Sequence, residues 1–288
     1  MENKKSTSPV LRIPVWIRFG VWFSQKLSTS LATRVALNLF FRPQRFKRPV
    51  REQEMHKNTL KASCHIPKIG KEIQVFRFAG EGPKVLLLHG WSGRGSQLFA
   101  FADKLRKSNA EVVTFDMPAH GQSLGNKTNI VELVACIKKV YAKYGPFDHA
   151  IAHSMGSMAL LRALSDGITM KSAAIIGSGD KVRNVFYRFS EQLQFSDKVA
   201  ERMIQTVEKQ FGINLENYSS STSLKYLNLP LLIVHDKDDN ETPYTYSKNL
   251  HEIANNSELL LTSGLGHHRI LRDSKTVQHI IKFINKHT

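Results

Sequence analysis

Apolar residues follow two patterns along this chain. From Glu72 onward, short continuous runs occur at Val85–His89, Glu111–Asp116, His149–His153, Ala173–Gly177, Leu231–His235 and Leu259–Leu261. They are β-branched or leucine-rich and end in turn residues, which predicts strands buried on both faces, the condition of a parallel sheet. Between them the spacing becomes helical. Ile130, Leu133, Val134, Ile137, Tyr141 and Tyr144 hold one face over several turns, and Met155–Leu164 and Val277–Ile284 follow the same period. Strands alternating with helices predict an α/β fold with a doubly wound, mostly parallel sheet.

One connection breaks the rhythm. The stretch from Gly177 to Pro230 is much longer than a crossover helix requires, and within it Val199, Met203, Val207 and Phe211 recur every fourth residue behind a cap candidate, Ser196. A helical insertion over about 180–229 is expected, and its place after a strand makes it a candidate lid. Ahead of the sheet, Leu31, Ala32, Val35, Ala36, Leu39 and Phe40 repeat at helical spacing until Pro43 stops the helix. Residues 42–61 are polar, basic and proline-punctuated and read as a linker. The expected organisation is a basic helical arm with its linker over 1–61 and an α/β domain over 62–288.

Composition narrows the classes. The 288 residues are 41% hydrophobic, ample for a large core and too apolar for a disordered chain. Cys64 and Cys136 stand far apart with no CxxC pair, which excludes a disulfide scaffold or a cysteine-rich zinc module and suits a reducing compartment. The net charge is +17, and residues 1–60 hold 12 of the 41 basic residues but only 3 of the 24 acidic ones. Such a tail suits an anionic membrane surface or nucleic acid; no nucleic-acid module accompanies it, so no nucleic-acid partner is expected. Its apolar runs are interrupted by Arg18, Lys26, Arg34 and Arg42 and are too short for a span or a signal peptide, so a cytoplasmic location is expected. Residues 10–42 pair an apolar stripe with these residues and Arg12, and the linker adds Arg45, Lys47, Arg48 and Arg51. Two readings of the arm stand: docking on the body, or weak peripheral contact with an anionic membrane. Trp16 and Trp22 suit a membrane interface or docking on the insertion.

The chemistry centres on Ala150-Ile-Ala-His-Ser154-Met-Gly156. A buried strand runs into Ser154 and a helix leaves it, so the hydroxyl would be lifted over a helix N-terminus. Small residues two positions either side avoid Cβ clashes; Gly156 meets this and Ala152 replaces the other glycine. Such a serine needs a base and a group to orient it. Downstream, a strand ends at His235-Asp236-Lys-Asp238-Asp239, and a later one ends in Gly264-Leu-Gly266-His267-His268. The order Ser…Asp…His brings all three to the C-terminal edge of one parallel sheet. The residues alone leave Asp236, Asp238 or Asp239 as the acid and His267 or His268 as the base.

These motifs together resemble the α/β-hydrolase-fold serine hydrolases, of the esterase-like branch, over about Glu72 to His287. His89-Gly-Trp-Ser-Gly93 is similar to the family's oxyanion loop, and Asp116-Met-Pro-Ala-His120-Gly-Gln-Ser123 to its D-x-P-G-H-G-x-S turn, with Ala119 at a glycine's place. The resemblance implies Ser154 as nucleophile, Asp239 as triad acid through its spacing to His235 and Pro243, with Asp180 as an alternative acid, and His267 as base. It also implies the backbone N–H groups of Trp91 and Met155 as the oxyanion hole. His89, His120 and His153 are expected to serve loop shape and packing. No zinc spacing or phosphate loop is present, so neither metal nor cofactor is expected. Hydrolysis of a small-molecule carboxylic ester or thioester is the first expectation. C–C bond hydrolysis and acyl transfer are alternatives on the same triad, and a non-catalytic binding protein is the rival from another class.

Overall fold

The computed structural model describes residues 14–288; Arg12, counted with the arm's basic residues, lies outside them. In chain order the elements begin with α1 (Val15–Leu27), α2 (Thr29–Phe40), α3 (Gln53–Lys57), β1 (Leu60–Ile66), β2 (Lys71–Phe78) and β3 (Lys84–Leu88). Then come α4 (Phe99–Lys107), β4 (Glu111–Phe115), α5 (Ile130–Tyr144), β5 (His149–His153), α6 (Met155–Ser165) and β6 (Ser172–Ile176). The chain ends with α7 (Val182–Leu193), α8 (Asp197–Phe211), α9 (Ser220–Leu224), β7 (Leu231–Asp236), α10 (Thr245–Ile253), β8 (Ser257–Thr262), α11 (Gly266–Arg269) and α12 (Ser274–Lys286). Among the described residues no helix is long and apolar enough to cross a membrane.

The described strands form an eight-stranded sheet in the order β1-β2-β4-β3-β5-β6-β7-β8. From β4 to β8 the neighbours are parallel, while β1–β2 and β2–β4 are antiparallel. The doubly wound α/β class expected from periodicity is thus what the chain adopts. The strands β5, β6 and β7 are buried along their whole length, as their continuous apolar runs require. Alternate residues (Val85, Leu87, Ile151, Ala174, Ile176, Leu232, Val234) join Phe101, Leu105, Val277, Ile280 and Phe283 of α4 and α12 in one core. Each fully buried Leu, Ile or Phe there contributes roughly 1.5–3 kcal/mol. The helix α6 packs against β3 and β5. Asn129 caps α5 by accepting the N–H of Glu132, and Asp273 caps α12 by accepting that of Thr276. Strands β1 and β2 were not among the expected ones: β1 is buried on one face only, so its apolar residues alternate with polar ones.

Strand order also locates a crevice. After β3 the chain crosses to β4 on one side, whereas β5 lies on the other side of β3. The segments leaving β3 and β5 therefore run apart, the position where open α/β sheets bind ligands. Those segments carry His89–Gly93 and Ser154.

The chain divides into two compact units, one of 41–182 and 216–288, the other of the residues up to Phe40 with Arg183–Leu215. The boundary expected at residue 61 thus falls at Phe40/Phe41. Within the smaller unit, α1 packs on α2 and α2 on α8. Phe40 stacks on Phe186 at 4.4 Å and meets Phe189 edge-on at 5.0 Å. Gln25 Nε2 donates to Gln194 O (3.0 Å) and its Oε1 accepts the Ser196 N–H (2.9 Å). The arm therefore packs on the insertion's helices, through α2 and one side of α1. Trp16 and Trp22 take no part as anchors: they are exposed, while Val21 and Ser24 are buried.

Residues 42–61 are not a free linker. Arg45 donates to the carbonyl oxygens of Ala119, Ser123 and Gly125. Buried Glu52 accepts both Nε (2.7 Å) and a terminal nitrogen (3.1 Å) of Arg94 and the Ser96 hydroxyl (2.9 Å). Arg48 Nε donates to that hydroxyl in turn. The prolines punctuate a segment tied to the larger unit, and Arg45 and Arg48 are engaged with it.

Candidate active site

Strand β5 delivers Ser154 to a sharp turn. Its backbone has φ 54° and ψ −123°, a left-handed conformation that is uncommon for serine and costs of order 1–3 kcal/mol. The turn is held by Ser154 N–H donating to Ile176 O (2.9 Å) and by Ser157 N–H donating to Ser154 O (2.9 Å). Gly156 is required by close approach, since a Cβ there would stand 2.4 Å from His89 O. This contact pins the first turn of α6 against the end of β3. Met155 opens α6, so its N–H is among those a helix leaves without an internal partner.

The segment after β3 is braced by two neutral histidines. His89 Nδ1 donates to Gly90 O (2.7 Å) and its Nε2 accepts the Met117 N–H (3.0 Å). His120 Nδ1 donates to Pro118 O (2.9 Å) and its Nε2 accepts the Ser92 N–H (3.0 Å). Burial lowers the pKa of His89 to about 4 and that of His120 to about 3, so each keeps one donor and one acceptor at neutral pH. Trp91 lies edge-on to His120 at 5.3 Å. The loop-holding role expected of both histidines is what their bonds perform. Ala119, at the glycine's place, has φ 65°, so the alanine carries left-handed strain that glycine would not. Buried Asp116 closes the turn by accepting the N–H groups of Gly95 and Gln122, both at 2.7 Å.

Among the candidate acids, Asp239 meets the imidazole. His267 Nδ1 lies 2.6 Å from Asp239 Oδ2, and both side chains are almost fully buried. Asp239 Oδ1 accepts the N–H groups of Glu241 and Thr242 at 2.8 Å each, and His235 Nε2 lies 3.2 Å from Oδ2. Burial opposes the carboxylate. Hydrogen bonds from His235 and His267, the nearby imidazole charge and the Thr242 N–H outweigh it and hold the Asp239 pKa well below the carboxylate range. Asp236 accepts the N–H groups of Asp238, Leu265 and Gly266 and the Thr262 hydroxyl, and Asp238 accepts the Gly264 N–H. These two acids fasten the turn that carries His267. Asp180 accepts from Asn249 Nδ2 (2.8 Å).

Two further histidines adjoin the His267–Asp239 pair. His153 does more than pack: its Nε2 donates to His267 O at 3.0 Å and the rings lie 4.5 Å apart. It links the residue before Ser154 to the loop of His267. Complete burial, and then the neighbouring imidazoles of His267 and His268, push its pKa well below the ordinary value, so it is neutral. His268, the other candidate base, meets His267 edge-on at 5.2 Å and its Nε2 lies 2.9 Å from Glu241 Oε1. That bond first, and then the Glu241 charge against the cost of burial, raises the His268 pKa. Glu241 also approaches His267 Nε2, at 3.9 Å. Neither Glu241 nor the Glu52–Arg94 pair was legible beforehand: each acts across a turn or over a long sequence separation with no spacing rule. Among the described residues no group of three or more His, Cys, Asp or Glu could hold a metal ion.

The C-terminal ends of the strands thus lead into a serine on a strained elbow, an imidazole on a buried carboxylate, and backbone amides at the start of a helix and in a braced loop. Comparison with known proteins agrees with the fold. The sequence model of the Alpha/beta hydrolase family matches residues 85–275. A Pyrococcus furiosus esterase superposes with TM-score 0.64 at 17% identity, covering 85% of this chain and 96% of that one. A membrane phospholipase A, described as a bacterial virulence factor, gives 0.63 at 15%, covering 95% and 99%. The Bacillus anthracis bromoperoxidase gives 0.61 at 17%, covering 79% and 100%. No curated protein sequence matches the chain. Strand order, elbow and family match lead to one conclusion: the chain belongs to the alpha/beta hydrolase family.

Proposed function

We propose that this chain is a serine hydrolase that cleaves a carboxylic ester or thioester through an acyl-enzyme. The observation that carries the reading is the 2.6 Å contact between His267 Nδ1 and buried Asp239. A carboxylate held ionised there fixes Nδ1 as the donor and leaves Nε2 as the base. Ser154 Oγ attacks the acyl carbonyl carbon while His267 Nε2 takes its proton. The Trp91 and Met155 N–H groups receive the oxyanion, and losing one such donor typically costs about 3–4 kcal/mol of barrier. As the tetrahedral intermediate collapses, His267 returns the proton to the departing alcohol or thiol. Water, deprotonated by the same nitrogen, then attacks the acyl-Ser154 ester and releases the acid. An esterase and a phospholipase among the structural neighbours support the ester class.

The test is fluorophosphonate labelling together with a chain-length series of p-nitrophenyl esters, on the wild type and on Ser154→Ala. The expected result is labelling and turnover in the wild type and neither in the folded variant. Undiminished turnover by Ser154→Ala would overturn the assignment. An unlabelled, inactive wild type would favour a non-catalytic binding protein.

A further inference from the structure

Helix α1 is apolar on a side that it does not bury. Val21 and Ser24 face inward, and Gln25 exchanges hydrogen bonds with Gln194 and Ser196. At spacings of three and four residues, Trp16, Phe19, Phe23 and Leu27 form a separate stripe, exposed at 73%, 61%, 48% and 59%. Val15 and Trp22 extend it, at 79% and 55%. Phe19 stacks on Phe23 at 6.0 Å and also meets Trp22 at 6.0 Å, so the rings form a patch rather than scattered contacts. A single exposed phenylalanine would mean little; a contiguous aromatic stripe marks an interaction surface.

Charge identifies the partner. Helices α1 and α2 carry Arg18, Lys26 and Arg34 and no acid. A second copy docked on the same face would set these like charges against each other. An anionic lipid layer satisfies both halves of the surface: indole and phenyl rings favour the headgroup boundary, and each nearby Lys or Arg adds attraction to lipid phosphates. Helix α1 spans 13 residues, about 20 Å at 1.5 Å per residue, too short to cross a bilayer.

We propose that α1 is a surface-lying membrane anchor that seats Trp16, Phe19, Phe23 and Leu27 in the headgroup region of an anionic bilayer. This surface is independent of the proposed hydrolysis. It also relocates the arm's lipid contact, since Arg45 and Arg48 of the following segment are engaged in hydrogen bonds within their own unit.

The test uses the full chain. Co-sedimentation with phosphatidylcholine vesicles, with and without phosphatidylglycerol, is measured at low and high salt for the wild type and for Trp16→Ser/Phe19→Ser/Phe23→Ser. The wild type is expected to partition onto the phosphatidylglycerol vesicles and to be released by salt. The triple variant, melting as the wild type does, is expected to lose partitioning about tenfold or more. Brominated lipid is expected to quench the wild type's tryptophan emission, a readout that stands if the triple variant fails to fold. Absence of sedimentation and quenching, or unchanged binding by the folded variant, would overturn the proposal. A dimer that the triple substitution dissolves, without vesicle binding, would overturn it in favour of self-association.

Discussion

Asp239 Oδ2 lies 2.6 Å from His267 Nδ1, while Asp239 Oδ1 is occupied by the N–H groups of Glu241 and Thr242. The carboxylate is therefore oriented from behind before it meets the imidazole. Asp236 and Asp238, close by in sequence, spend their oxygens on the backbone of the neighbouring turn. Asp239→Asn is expected to lower kcat by about 10³–10⁴-fold with little change in thermal midpoint, because it permits the wrong imidazole tautomer. Asp236→Asn is expected to do the reverse, costing about 1–3 kcal/mol of stability with a smaller loss of rate. Steady-state kinetics and urea unfolding of both variants decide it; a larger kcat loss at Asp236 would move the acid.

Ser154 combines a positive φ with a side chain, which glycine would not strain. Ser154→Gly is expected to abolish activity and to raise stability by about 1 kcal/mol, the relieved strain less the greater entropy of glycine in the unfolded chain. Differential scanning calorimetry measures it, and a lower midpoint would show that the elbow is not a strained site.

Stability should fall steeply in mild acid. His89 is held neutral in the fold, with its pKa lowered from 6.5 to about 4. Its contribution is complete above the unfolded value and is lost as pH falls from about 6.5 towards 4, amounting to roughly 3 kcal/mol. His120, lowered to about 3, adds in the same direction and over a wider window. Urea midpoints from pH 7.5 to 4.5 are expected to drop accordingly, and His89→Asn, less stable at pH 7.5, should show a shallower slope. A flat profile in the wild type would refute the neutral buried pair.

Glu52 meets Arg94 through two hydrogen bonds, with side-chain exposures of 2% and 11%. Removing one member of a buried pair leaves the other uncompensated, so Glu52→Gln is expected to cost about 3 kcal/mol or more. Arg94→Leu on that background should restore part of it. Equilibrium unfolding of the single and double variants tests this; additive losses would show that the two residues are not coupled.

Much of the molecule is legible in its sequence because local physics controls it. Buried parallel strands must be continuously apolar, so β3 to β7 were evident, and the leucine run Leu259–Leu261 marked the half-buried edge strand β8, whereas the one-sided β1 was not legible. The elbow is readable for the same reason: a strand, a serine and a small-residue helix start are contiguous. The helical arm and insertion were visible as periodicities. Their faces could not be assigned, because Trp16 and Val21 are both apolar and only packing decides which is covered.

What the sequence determined by itself was the class of fold, the order Ser…Asp…His and a short list for each role, all set by near neighbours along the chain. The resemblance pointed to Asp239 through its spacing to His235 and Pro243, and tertiary structure brings its carboxylate to His267 while Asp236 and Asp238 turn their oxygens to the backbone. Tertiary structure also turned residues 42–61 from a linker into a brace and gave His153 its bond to the His267 carbonyl. Each of these joins residues distant in sequence or distinguishes equivalent neighbours by direction, and neither leaves a pattern that spacing can carry.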